Sequence, residues 1–341
     1  MPKAYKITKE NLNKFLDGAS KRFDLWAPVS NNDKVSFKPV ENAVEIDLNF
    51  IRTTQSVKKV FHPSSNIIFE YTAKEGFTSK EDTPVKDIMV FGVHPCDLKG
   101  LLLLDKVFAD TEIENAYLKR RKNAAIIALT CNDCDEYCFC SCMGSGPDAK
   151  EGFDLLFTDL GDSFMVETGT GRGEKLLEGI DKEDAADAEL SKKKEKIDSI
   201  IKKTSQKECV AHPPKMREAL IKNSEHPYWK EESDKCLSCA SCTNVCPTCF
   251  CYSIKDNLDW DGRTTRREAY WDSCQNKEFA GVAHGENFRP ERIQRLKQFV
   301  NHKLNYWHDQ YNEAGCTGRG RCIEICPVDI SLLDIIEKIS K

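Results

Sequence analysis

An α+β or α/β N-terminal domain joined to a C-terminal two-cluster domain of bacterial ferredoxin type is the fold this sequence predicts, on three observations. Two buried-strand patterns, Asp87 to Val93 and Ala124 to Thr130, flank a helical stretch and each runs into cysteine. Asp181 to Lys207 is highly charged, with Ile197, Ile200 and Ile201 as a sparse apolar stripe, the pattern of a surface helix linking two domains. Cys236 to Cys251 and Cys316 to Pro327 then share one cysteine spacing. The expected divisions are a mixed α/β, cysteine-containing domain over 1–180, a helical linker over 181–230 and a ferredoxin-like iron-sulfur domain over 231–341.

A chain of 341 residues with 40% hydrophobic content is long enough for two or three packed domains. Its 17 cysteines are an odd number, and the start from Met1 to Lys6 has no apolar signal segment, so a reduced, anaerobic cytoplasm is expected rather than a disulfide scaffold. The net charge of −5 leaves no basic field for nucleic acid. No apolar run reaches the length of a membrane span.

Residues 1 to about 85 mix strand-like runs with polar loops. Val44 to Leu48 and Ile67 to Tyr71 alternate well enough to read as half-buried strands, and Arg22, Lys58 and Lys59 read as solvated surface. After the strand ending at Val93, His94-Pro95-Cys96-Asp97 is expected to turn into a helix with Asp97 as its N-cap and His94 as a structural turn residue. The second strand ends on Cys131, followed by Cys134, Cys138, Cys140 and Cys142. A βαβ unit would bring both cysteine loops to one sheet edge, where Cys96 and three of those five could hold a cluster. Phe153 to Thr168 reads as a hairpin turning at Leu160-Gly161-Asp162. Gly169 to Gly173 departs from the dinucleotide-binding fingerprint and reads as a flexible turn.

Cys236, Cys239, Cys242 and Cys246, with Pro247, reproduce the C-x2-C-x2-C-x3-C-P run of bacterial ferredoxins. Three thiolates on a tight turn with small residues between them can face one compact cluster. The fourth lies about one helical turn further on and is free to serve another. Cys316, Cys322, Cys326 and Pro327 repeat the pattern with Arg319 in one cysteine place. Crossing the repeats gives Cys236, Cys239, Cys242 and Cys326 to one cluster, and leaves Cys316, Cys322 and Cys246 one thiolate short for the other. Arg319 has no lone pair for a metal. Either that cluster has three irons or Cys249, Cys251 or Cys274 completes it, with Cys274 counted among the ligands and His284 and His302 set aside as structural. The arginines Arg289, Arg292 and Arg295 either solvate a helix or dock an acidic partner, and Cys209 reads as an unligated thiol.

These residues resemble those of the β subunits of cytosolic NAD(P)-linked nickel-iron hydrogenases, or sulfhydrogenases, and the related A subunit of anaerobic sulfite reductase. The resemblance runs from about Pro84 to the C-terminus, on Pro95-Cys96-Asp97, Cys138 to Gly144, Cys236 to Tyr252, Trp271 to Cys274, Asn287 to Pro290 and Cys316 to Pro327. It implies Cys96, Cys131, Cys138 and Cys140 as ligands of a third cluster, with Cys134 and Cys142 as extras, and it has cysteine where Arg319 stands. It also implies a hetero-oligomer in which this subunit carries electrons between a flavin, NAD(P)H-binding subunit and a subunit holding a catalytic metal. The residues themselves offer no catalytic group: there is no nucleophile paired with a base. Two other readings remain from the cysteines, a zinc-stabilised assembly scaffold and a reductase acting at the incompletely ligated cluster.

Overall fold

The computed structural model describes residues 3–78, 87–109, 116–205, 212–260 and 262–341. Cys209, Pro84 and the end of the charged stretch at Gln206 and Lys207 lie outside them. The strands are β1 (Ala4–Thr8), β2 (Asp24–Asn31), β3 (Lys34–Pro39), β4 (Ser65–Thr72), β5 (Gly76–Thr78), β6 (Ile88–Val93), β7 (Ala125–Leu129), β8 (Leu155–Asp159), β9 (Ser163–Thr168), β10 (Glu183–Asp184), β11 (Tyr252–Leu258) and β12 (Thr264–Trp271). They form an 8-stranded sheet in the order β10-β1-β9-β8-β7-β6-β2-β3 and a 4-stranded sheet in the order β11-β12-β4-β5.

The middle of the large sheet is parallel, from β2 through β6 and β7 to β8, and its flanks are antiparallel. Every residue of β6 and β7 is buried, as continuous apolar runs require when helices cover both faces. One face packs on Leu12, Phe15, Leu16 and Ala19 of the helix Lys9–Arg22. The other packs on Leu98, Leu101 and Leu104 of the helix Pro95–Ala109. Thus the expected βαβ unit is present, and its parallel strands release Cys96 and Cys131 at the same edge. The hairpin of β8 and β9 is also present.

Four local expectations need correction. Val44 to Leu48 is not a strand: Ala43–Glu45 is a short 3₁₀ turn that leaves Val44 in solvent, and the irregular stretch after it packs Ile46 and Leu48 on the core without a strand partner. Asp97 does not cap the helix, which already begins at Pro95. Gly169 to Gly173 is more ordered than a flexible turn, because Thr170 caps a helix over Gly171–Leu176 by accepting from the Gly173 amide at 3.2 Å. Lys58 is not solvated; only 2% of it is exposed.

The small sheet joins sequence from both ends of the chain, since β12 pairs with β4 as well as with β11. Beyond it, Met216, Leu220, Trp229, Leu296, Phe299, Val300, Leu304, Ile335 and Ile336 make a helical core against which Cys242, Cys249, Cys274, Cys316 and Cys322 pack. The helix Pro95–Ala109 reaches this region too: a Cβ on Gly100 would lie 2.6 Å from Cβ of Pro247, so glycine permits the close approach.

Candidate metal centres

The two motif turns have one backbone design. Ser238 and Ala240 in the first, and Gly318 and Gly320 in the second, all have positive φ. In each turn an amide two residues on donates to the leading sulfur at 3.4 Å, Ser238 to Cys236 and Gly318 to Cys316. Short helices follow at Ser241–Asn244 and Arg321–Glu324, which carry Cys242 and Cys322 inward. The internal repeat read from spacing is therefore a repeat of conformation.

Thiols from the two turns interleave. Cys236, Cys239, Cys242 and Cys326 line one cavity together with Leu237, Leu296, Phe299 and Leu332. Burial, with the neighbouring thiols, pushes Cys242 up to about 12. Around Cys246 a second group forms. A hydrogen bond from the Cys249 thiol draws Cys246 well down, and Cys322 lies within electrostatic reach of both Cys316 and Cys246. Burial pushes Cys316 up to about 11. Cys274 lies next to Cys251, whose thiol is drawn down to about 7 chiefly by that hydrogen bond.

The third group is Cys96, Cys131, Cys138 and Cys140, at the edge where β6 and β7 end. Cys96, Cys138 and Cys140 all act electrostatically on Cys131, Cys138 acts also on Cys96 and Cys140, and burial pushes Cys96 up to about 12. Cys134 is partly exposed and feels only Cys138 of the set, and Cys142 is disulfide-bonded. His94 is buried and stacked on Phe50 with ring centroids 4.2 Å apart; burial pulls it down to about 3, so it stays neutral as a packed turn residue.

Arg319 belongs to this third group rather than to the turn that carries it. Its Nη1 donates to Cys138 Sγ at 3.6 Å and its Nη2 donates to the Ile51 carbonyl. Two residues on, Arg321 makes a bidentate pair with Asp97 at 2.6 and 2.7 Å, both residues nearly inaccessible to water. Burial alone would raise the Asp97 carboxyl, but the Arg321 charge and hydrogen bonds more than offset it and the net shift is downward. Phe139 donates its amide to Gly318, and Ser145 donates to the Thr317 carbonyl at 2.5 Å. The segment from Cys316 to Cys322 thus holds two thiols of the second group and grips the loop of the third.

Two buried lysines lie at the second group: Lys58, which the sequence places on the solvated surface, and Lys303, which it does not single out. Lys303 Nζ donates to Cys246 Sγ at 3.1 Å and to Thr248 Oγ1 at 3.0 Å. Lys58 Nζ donates to the Cys249 carbonyl at 2.8 Å and lies 4.3 Å from the Trp271 ring centre. Lys303 sits on a π-helical turn, His302–Tyr306, and its signal is visible in retrospect: Phe299, Lys303 and Trp307 fall at i, i+4 spacing on one apolar face. Lys58 left no such mark, because its partners are 185 and 191 residues away. Arg295 is also buried, donating to the Arg289 and Pro290 carbonyls and to Ser238 Oγ at 3.3 Å.

The donor chemistry fits thiolate-bound clusters. Among the described residues no three His, Cys, Asp or Glu side chains converge as they would on a single ion. The thiols of the first group instead surround a cavity. Thiols held mostly in the protonated range release protons when they bind metal, and the anion so formed would meet Lys303, which the thiols already hold charged, and favour the charged form of Lys58, which burial otherwise draws down.

A family model described as a 4Fe-4S dicluster domain matches residues 235–330. The chain is 33% identical over 343 residues to sulfhydrogenase 2 subunit beta of Pyrococcus furiosus, covering 98% of this chain and 97% of that one. It is 25% identical over 182 residues to F420-dependent formate dehydrogenase subunit beta of Methanocaldococcus jannaschii, covering 51% of this chain and 38% of that one. No solved structure matches. Among the described residues no helix is long and apolar enough to cross a membrane.

Proposed function

The chain belongs to the family of sulfhydrogenase β subunits, and on that premise we propose that it relays electrons one at a time between a flavin, NAD(P)H-binding subunit and a subunit holding a catalytic metal, in the cytoplasm. Three clusters would do so. Cys96, Cys131, Cys138 and Cys140 hold the first, Cys246, Cys249, Cys316 and Cys322 the middle one, and Cys236, Cys239, Cys242 and Cys326 the last. When bound, such clusters supply sites that gain and lose single electrons without bond making in the protein. The chain's own residues hold the thiolates, exclude water and set the local charge.

The observation that carries this reading is the row of thiol groups. The segment from Cys316 to Cys322 touches the first group through Arg319 and supplies ligands to the middle one. Cys242 and Cys322 both line the cavity of the last group, so the middle and last share a wall. Support for Cys249 over Cys274 as the middle group's fourth ligand is its thiol hydrogen bond with Cys246, whereas the Cys274 thiol is hydrogen-bonded with Cys251. Zinc suits the cavity poorly, since a single ion would draw four sulfurs onto bonds of about 2.3 Å.

The test is iron and acid-labile sulfide counting, with electron paramagnetic resonance, on the full chain purified anaerobically. Three four-iron clusters are expected. Zinc without sulfide would overturn the reading in favour of a scaffold. Cys249→Ala is expected to degrade the middle cluster alone while Cys274→Ala leaves it whole; the reverse result would move the ligand to Cys274.

A further inference from the structure

The middle thiol group lies among buried positive charge that no carboxylate offsets. Lys303 and Lys58 are 3% and 2% exposed. Their hydrogen-bond partners are a sulfur, a hydroxyl and backbone carbonyls, and among the described residues neither forms an ion pair with Asp or Glu. A buried ammonium without a counter-ion is costly: burial draws Lys58 down toward its neutral form, whereas the thiols of Cys246, Cys249 and Cys316 outweigh burial and hold Lys303 charged, so a full positive charge on both lysines requires an anion at the thiols. A thiolate-bound iron-sulfur cluster is that anion, and one added electron makes it more negative still.

The other two groups are less positive. At the first, Arg321 is neutralised by Asp97, which leaves Arg319, whose contact with Cys138 Sγ is 3.6 Å against 3.1 Å for Lys303 with Cys246, and the half-buried Lys196, which acts on Cys131 but donates to Asn132 Oδ1 and the Asp159 carbonyl rather than to a sulfur. At the last, Arg295 is directed to carbonyls and Ser238 Oγ, and Cys239 is exposed, so water screens the field there. Burial alone makes a more negative reduced state harder to form. Two ammonium groups in the same water-poor space reverse that, because charge–charge energy there is several times larger than in solvent at the same distance.

We propose that Lys303 and Lys58 make the cluster held by Cys246, Cys249, Cys316 and Cys322 the most easily reduced of the three, so that an electron entering from either neighbour comes to rest in the middle. They act as positioning residues through charge, not as ligands. The balance is simple: the cluster gains one electron from a reduced neighbouring cluster, and no proton or bond changes hands. The inference rests on the three-cluster reading above.

Stepwise anaerobic redox titration of the full chain, followed by electron paramagnetic resonance, tests it. The signal altered by Cys322→Ser identifies the middle cluster, which is expected to be reduced first in the unsubstituted protein. Lys303→Met is expected to lower its reduction equilibrium constant at least tenfold, about 59 mV for one electron. Lys58→Met should move it the same way by less, and Lys303→Arg should restore most of the loss. The other two midpoints should stay within about twofold. If the middle cluster is not the first reduced, or both Met variants leave its midpoint in place, the inference fails. Should Lys303→Met no longer hold iron there, the unsubstituted order and Lys58→Met decide. An iron count short of three clusters in the unsubstituted chain defeats the underlying reading instead.

Discussion

The two motif turns share backbone and hydrogen bonding but differ in surroundings. From Leu237 to Ser241 the first turn is mostly at or near the surface; from Thr317 to Arg321 every residue of the second is buried. The left-handed position before the short helix shows the difference most directly. In the first turn Ala240 occupies it with its side chain in place, whereas a Cβ on Gly320 would overlap the Tyr137 carbonyl. At the preceding left-handed position, Gly318 would bring a Cβ within 2.6 Å of the Phe139 carbonyl, where the first turn has Ser238. One repeat thus faces outward around an accessible cavity, and the other is pressed against the N-terminal cysteine loop. The cysteine place taken by Arg319 fits this contrast, for its side chain reaches across that contact rather than into its own turn.

The largest expected effect separates the crossed ligands. Cys326→Ala should remove the cluster of the first turn although it lies in the second, and Cys246→Ala should remove the middle cluster although it lies in the first. Each variant should lose one cluster's iron and sulfide and keep the remainder; loss that follows the linear motifs would break the crossed arrangement.

Next comes the buried ion pair. Asp97→Asn leaves the Arg321 guanidinium unpaired and should cost about 3–5 kcal/mol in denaturant unfolding. The folded-state pKa of Asp97 lies below its unfolded value, so the pair's contribution is present above about pH 4 and is lost as pH falls through the lower folded value. The gap between the variant and the unsubstituted chain should therefore close in acid. A constant gap down to that range would assign the loss to packing instead.

The smallest effect sharpens the glycine contrast. Gly320→Ala should destabilise by about 2 kcal/mol, while Ala240→Gly at the matching position of the open turn should change stability by no more than about 1 kcal/mol. Equal effects would mean that the closeness of the second turn carries no energetic weight.

Much of the molecule was legible in the residues. Continuous apolar runs marked β6 and β7, since strands covered on both faces have no polar side, and the β8–β9 hairpin followed from its glycine turn. The cysteine spacing marked the two turns. What misled was alternation in Val44 to Leu48, where an irregular segment after a 3₁₀ turn packs Ile46 and Leu48 on the core, and charge in Lys58, because surface and buried lysines look alike until their partners are known.

By itself the sequence determined the chemistry: thiols at a spacing set by short turns, in a chain of one family, with local backbone that a few residues suffice to specify. Only the tertiary structure decided which charges those thiols feel. Arg319 and the first cysteine group, Arg321 and Asp97, and Lys58 and the Cys249 carbonyl are brought together across 181, 224 and 191 residues. Such pairings leave no local pattern, because electrostatic and packing energies depend on distance through space, and that distance exists only after the chain has closed on itself.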